Sequence, residues 1–132
     1  MMTDPVSATA GENPITRMFA WWNQAYLDSA FSPEGFAQFF TEDAPFVVDG
    51  GLRGTGPEGI NAHFQRIRAN TEAVALVTPV QATLANDNLA FVRYAATART
   101  RGKDGIMGEE CLAVAHLRGG RIASFEVISR AT

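Results

Sequence analysis

The last third of this chain is three strand-length runs separated only by short turns, and that pattern limits its fold more than any other. Residues 89–100 alternate, Lys103-Asp104-Gly105 is a turn signal, residues 106–117 form another strand run, Arg118-Gly119-Gly120 turns the chain, and residues 122–129 form the last run. Strand-like runs broken by Gly, Asn and Asp mark strands joined by hairpins. A parallel connection needs a crossover of about a dozen residues, which these turns cannot supply, so successive strands pair antiparallel. Residues 74–84, rich in Val, Leu and Thr, read as a further strand that turns back at Asn86-Asp87-Asn88.

The first half runs on a different period. Asn13 is a strong cap, Pro14 is tolerated at the first helical position, and Ile15, Met18, Phe19, Trp22 and Tyr26 then recur at helical spacing. An amphipathic helix ending near Leu27 is predicted. Ser32-Pro33-Glu34 opens a short second helix that buries Phe36, Phe39 and Phe40. Thr55-Gly56-Pro57-Glu58 announces a third, with Ile60, His63, Phe64 and Ile67 on one side. Helices first and a meandering sheet afterwards is an α+β arrangement.

At 132 residues the chain is long enough to surround a small pocket within one domain, expected over residues 14–132. Residues 1–13 are small and polar without periodicity and are expected to form a mobile tail. A net charge of -3 with no basic run argues against a nucleic-acid partner. The single cysteine, Cys111, excludes an internal disulfide and fits a reducing compartment. No run is apolar enough to span a bilayer and the start lacks the pattern of an export signal, so the expected place is the cytoplasm, off the membrane.

Asp49 is the leading site candidate. The apolar run Phe46, Val47, Val48 delivers its carboxylate to the Gly50-Gly51 turn, and an acid at the end of such a strand needs either water or a partner. A solvated acid opening a turn is the plain alternative. Arg93, mid-strand among apolar residues, must pair or reach water, and a pair with Asp49 or Glu126 is either a site or a structural bridge. His63 reads as a core-edge histidine or a catalytic group, and His116 as a solvated strand end or a site residue. Trp22, Tyr26, Phe46, Phe64 and Phe91 are the expected apolar lining of a pocket, though such rings fill a core as readily as they line one. Two histidines about fifty residues apart, without an acid cluster, make no metal site.

Alternation puts Glu110, Leu112, Val114 and His116 on one face of their strand and Cys111, Ala113 and Ala115 on the other. The last strand likewise separates Ile122, Ser124, Glu126 and Ile128 from Ala123, Phe125 and Val127. Both faces carry apolar residues, so the pattern leaves open which turns inward. It also predicts a sheet covered on both sides, the outer face by a second copy of the chain.

The order of elements and the segments FFTEDAPFVVDG, LRGTGPEGI and GGRIASFEVI resemble the nuclear transport factor 2-like superfamily, and within it the SnoaL-like branch. Gly56, Glu58, Gly59 and Ile60 match the G-x-[DE]-[AG]-I helix opening that recurs there. The resemblance implies a cone in which a strongly bent antiparallel sheet wraps a helix and leaves an apolar cavity, and it implies a homodimer. It leaves the activity open, because the same shell serves isomerases, dehydratases, epoxide hydrolases, polyketide cyclases and noncatalytic binding modules.

Residue by residue, the resemblance implies that Asp49 is close to the base position of ketosteroid isomerase-like members, with one residue more than usual between Asp43 and Asp49. Ala113, which can donate no hydrogen bond, stands near their second acid, and Tyr26 near their tyrosine. Arg93 has a counterpart in epoxide hydrolases of this fold, whose last-strand aspartate is replaced here by Val127. Glu126 and His116 are the nearest counterparts of the acid and histidine of SnoaL-like cyclases. Two readings follow. In one, Asp49, its pKa raised by the apolar pocket, moves a proton on a small hydrophobic carbonyl or polyketide-like compound without a cofactor, while Arg93, His63, His116 or Tyr26 stabilises the enolate. In the other, the same cavity belongs to a noncatalytic ligand-binding or dimerisation module.

Overall fold

Asn13 caps α1 (Pro14–Asp28) with a reciprocal pair of bonds. Its Oδ1 accepts the N–H groups of Ile15 and Thr16 at 2.9 and 3.2 Å, and the Thr16 hydroxyl oxygen accepts the Asn13 N–H at 2.9 Å. Ser32 does the same work for α2 (Pro33–Ala37), its Oγ accepting the Gly35 N–H at 2.9 Å. The computed structural model describes residues 11–132, so most of the tail expected over residues 1–13 lies outside the described residues.

β1 (Pro45–Val48) and β2 (Gly51–Thr55) form a tight hairpin ahead of α3 (Gly56–Asn70). Thr55 announces α3 in sequence yet makes no side-chain cap bond. Glycines set this junction instead. Gly56 has a φ of +71°, and a side chain there would run into the Glu42 carbonyl; one at Gly54 would run into the backbone of Gly59. The helix-opening motif is therefore a close backbone approach between β2 and α3.

β3 (Thr71–Leu76), β4 (Ala82–Ala85), β5 (Leu89–Thr100), β6 (Met107–Arg118) and β7 (Arg121–Ala131) complete the chain. Residues 74–84, expected as one strand, are two: Pro79 lies in the break, where a residue without an N–H cannot continue a ladder. Both pieces pair with β5, at Leu76↔Ala96 and Ala82↔Arg93. The sheet runs β2-β1-β7-β6-β5-β3, with β4 also on β5. The strands expected to pair antiparallel, within residues 74–129, do so, and the sheet as a whole is mixed only because β1 pairs with β7 in parallel. The turn-length argument does not reach that pair, since most of the chain lies between the two strands.

Helices and strands make an α+β cone, with α1 packed against β3, β5 and β7. The buried residues form one cluster, and in it Ala90, Ala113 and Ala115 are fully buried, small enough to let helix and sheet approach. Each buried large apolar side chain in the cluster contributes roughly 1.5–3 kcal/mol. Burial resolves the faces that alternation left open. Val92, Tyr94, Cys111, Ala113, Phe125 and Val127 turn into the concavity; Phe91, Arg93, Leu112, His116, Glu126 and Ile128 turn out. A register shift between His116 and Leu117 brings Ile122 inside as well, where alternation grouped it with Glu126. No helix among the described residues is long and apolar enough to cross a membrane.

Candidate functional site

Between α1, α3 and the concave face of the sheet lies a pocket of about 330 Å³. α1 gives it Met18, Phe19 and Trp22, and α3 gives it His63, Phe64 and Ile67. Phe46 of β1 and Phe125 of β7, register partners in the parallel pair, stack at 4.9 Å with their planes 4° apart. Val74 and Leu76 close the far side. Polar groups are few: His63 on α3, Tyr94, Cys111 and Ser129 on three adjacent strands, and the charged Asp49, Arg53 and Glu109, which are exposed and form the rim. Small-ligand sites are typically apolar in this way, with a few converging polar groups.

Asp49 is at the rim for a backbone reason. Phe46 and Val48 face the pocket, so strict alternation would turn the next residue outward. Asp49 escapes this by taking a φ of +49°, in the left-handed region that Asp tolerates better than most residues. Its N–H donates to the Val127 carbonyl at 2.9 Å. Its carboxylate is gripped by one residue of β7, the Ser129 N–H donating to Oδ1 at 2.8 Å and the Ser129 hydroxyl to Oδ2 at 2.7 Å. Those two bonds, the backbone one first, hold Asp49 below the usual carboxylate range. A base with a raised pKa, expected from an apolar pocket, is not what forms.

His63 stands with its ring 4.9 Å from Phe64 and 5.8 Å from Phe46. Burial, then the charges of Arg66 and Arg53, push its pKa down to about 4, so it is neutral near pH 7 with one ring nitrogen donating and one accepting. Tyr94 and Cys111 are register partners on β5 and β6. Burial foremost raises Tyr94 well above its ordinary value, helped by Cys111 and Glu109, and burial raises Cys111, so the phenol and thiol keep their protons.

The other sequence candidates are elsewhere. Arg93 is on the convex face, half exposed, and pairs with Glu110 at 3.5 Å rather than with Asp49 or Glu126. His116 is exposed on the same face and shares a hydrogen bond of 3.0 Å with the Ser124 hydroxyl; Glu126 is exposed there too and lines no part of the pocket. Phe91 is 38% exposed on that face and lines no part of the pocket between α1, α3 and the sheet. Tyr26 is buried beside the pocket, its hydroxyl 2.7 Å from the Thr71 hydroxyl and the Arg68 guanidinium 5.4 Å from its ring, a structural placement. One inward-facing set, Cys111 with Ala113 and Ala115, was legible by alternation; Tyr94 and Ser129 follow from it only once register makes them its neighbours.

Residues 15–125 match the sequence model of the SnoaL-like domain. No curated protein matches the chain at a significant level. Among solved structures, a Catenulispora acidiphila protein of ketosteroid isomerase-like fold, in complex with trimethylamine, superposes with a TM-score of 0.70 at 18% identity over 88% of this chain and 85% of its own. An NTF2-like protein from Anabaena variabilis gives 0.68 at 15% identity over 90% and 87%. IdmH of Streptomyces antibioticus, named as a candidate polyketide cyclase, gives 0.65 at 18% identity over 89% and 92%. At these identities the structural matches speak for the fold alone, which is nuclear transport factor 2-like, whereas the sequence match spans most of the residues, and the chain belongs to the SnoaL-like domain family.

Proposed function

We propose that the pocket binds a small, mostly apolar carbonyl compound and that the chain transfers a proton on it without a cofactor, with Asp49 as the acceptor. The observation that carries this reading is that Asp49 and His63 border one pocket, whereas Arg93, His116 and Glu126 do not. The proton leaves carbon for the Asp49 carboxylate, the C–H electron pair moves to the carbonyl oxygen as an enolate, and the neutral His63 ring offers that oxygen an N–H. Tyr94, held protonated, is a second donor in the same wall. A carboxylate kept below its usual range is a weak base, so the suited substrate has an acidified carbon, one flanked by two carbonyls. That chemistry is polyketide-like, in keeping with a fold neighbour named as a candidate polyketide cyclase. The returning proton completes an isomerisation, or the enolate carbon attacks a second carbonyl and closes a ring, the alkoxide formed there taking the proton back from Asp49.

The clasp on Asp49 favours a second reading, a noncatalytic ligand-binding module in which Asp49 only ties β1 to β7. Hydrogen–deuterium exchange at the α-carbon of a β-keto ester such as ethyl benzoylacetate, followed by NMR, separates the two. Exchange above the buffer rate that falls by about 10²–10⁴-fold in Asp49→Asn supports the enzyme. Saturable binding without added exchange supports the binding module, and absence of binding overturns both.

We also propose that the convex face packs against a second copy. Leu112 and Ile128 are 52% and 62% exposed there, beside Phe91 and Leu84. The same face carries Arg93, Arg130, Glu110 and Glu126, so a copy related by a two-fold axis meets opposite charges around a shared apolar centre. Sedimentation showing a monomer at micromolar concentration would overturn this.

A further inference from the structure

We infer that Ser129 is a positioning residue for Asp49: it fixes the plane of the carboxylate at the pocket rim. The inference rests on Asp49 being the proton acceptor, and the sequence offers no hint of it, since Ser129 is a plain strand serine eighty positions away. Three observations carry it. Both carboxylate oxygens are engaged by this one residue, Oδ1 by the backbone N–H at 2.8 Å and Oδ2 by the hydroxyl at 2.7 Å. Two bonds to two oxygens fix the carboxylate in its plane, which a single bond would leave free to rotate. Asp49 is itself pinned from behind, by its N–H on the Val127 carbonyl and by its left-handed backbone. Ser129 also lines the pocket, opposite Cys111 in the ladder, so the clasp is part of the wall and is placed by the sheet rather than by a loop.

The clasp leaves the carboxylate usable. Each carboxylate oxygen has two lone-pair directions, and Ser129 takes one on each. The remaining directions are open to a ligand at the rim. Bonds donated to the charged form favour it, so the clasp lowers base strength while holding the acceptor in one orientation. In a site that relies on geometry, orientation is the larger contribution to rate.

The test compares Ser129→Ala and Ser129→Thr with the unaltered chain, using carbon-13 NMR titration of the Asp49 carboxyl and, in parallel, exchange of ethyl benzoylacetate. Ser129→Ala removes the hydroxyl bond and keeps the N–H. The Asp49 titration is expected to move up toward the ordinary carboxylate range, and the acid limb of the exchange profile to move up with it. Maximal exchange is expected to fall several-fold with little change in KM, since the ligand's contacts remain. Ser129→Thr retains a hydroxyl and should restore all three. An unchanged Asp49 titration in Ser129→Ala, or a failure of the threonine to restore it, overturns the inference even if thermal stability falls. The base assignment fails separately: if Asp49→Asn exchanges substrate normally while the titration still responds to Ser129, Asp49 is clasped but is not the acceptor, and Ser129 then positions nothing catalytic.

Discussion

Two adjacent rungs of the same three strands carry polar groups on opposite faces of the sheet. On the convex side Glu110 faces Arg130 across the ladder at 2.8 Å and reaches Arg93 at 3.5 Å. On the concave side Tyr94, Cys111 and Ser129 stand in register, and Ser129 holds Asp49. The outer charges settle one another in water: Arg130 first, then Arg93, lower the pKa of Glu110, and such exposed pairs are worth little to stability. Inside, the main influence on Tyr94, Cys111 and His63 is burial, which suppresses their charged forms. Residue type does not separate the rungs as functional and structural; surroundings do. The outer rung holds strong charges with weak consequences, the inner one weak acids and bases whose protons are fixed in place.

The widest gap between the faces should appear in stability. Phe125, 2% exposed and stacked on Phe46, should cost about 3–5 kcal/mol when replaced by Ala, as measured by urea unfolding. Phe91→Ala on the convex face should cost about 1 kcal/mol or less in a monomer. Equal costs would mean that the convex face is as buried as the concave one, which only a second copy could achieve. That outcome leads to the next test. Ile128→Lys puts a charge into the apolar centre of the convex face and should shift sedimentation from dimer to monomer. Unfolding of the monomer itself should change by within about 0.5 kcal/mol. If the protein sediments unchanged, the convex face is not the interface.

A smaller effect distinguishes the faces by pH. The folded pKa of His63, about 4, lies below its ordinary 6.5, so the unfolded chain takes up the proton first. Stability is complete above the ordinary value and is lost as pH falls from 6.5 toward about 4. His63 is only half buried, and solvent screening reduces the loss. The carboxylates with lowered pKa, Asp43, Asp49 and Glu110, add their own loss only at more acid pH, as they protonate in the fold. Thermal melts from pH 8 to 4 should therefore decline early, and His63→Gln should remove that early decline. A variant that declines as the unaltered chain does would show that His63 is not shielded in the pocket.

Local chemistry made much of this architecture readable in advance. Asn13 and Ser32 cap where cap residues should, and the turns at residues 86–88 and 118–120 close the hairpins expected of them. What could not be read was set by partners distant in sequence. The parallel pairing of β1 with β7 depends on closing the sheet, and the division at Pro79 depends on both pieces finding β5. Asp49 stood out because a strand delivers it to a glycine turn, but its pKa was expected to move the wrong way, since Ser129 was invisible from that neighbourhood. That Arg93, His116, Glu126 and Phe91 lie on the convex face could not be read for one shared reason: both faces of their strands are apolar, and alternation says which residues go together without saying where.

The smallest expected effect concerns that convex set. His116→Ala and Glu126→Gln, measured at concentrations where the unaltered chain keeps its assembly state, should leave binding and exchange of ethyl benzoylacetate unchanged. Each should alter unfolding by within about 0.5 kcal/mol, because both side chains are exposed and the His116 bond to Ser124 is replaceable by water. The physical ground is separation by the sheet itself: a side chain on the convex face reaches a ligand in the pocket only through backbone. Charge cannot bridge the gap strongly either, since solvent screens exposed groups over about 10 Å. Loss of exchange in either variant, with the fold and assembly intact, would move the chemistry to the outside of the sheet. It would also make the Glu126 and His116 pair the site, and reduce Asp49 and Ser129 to a fastening between β1 and β7.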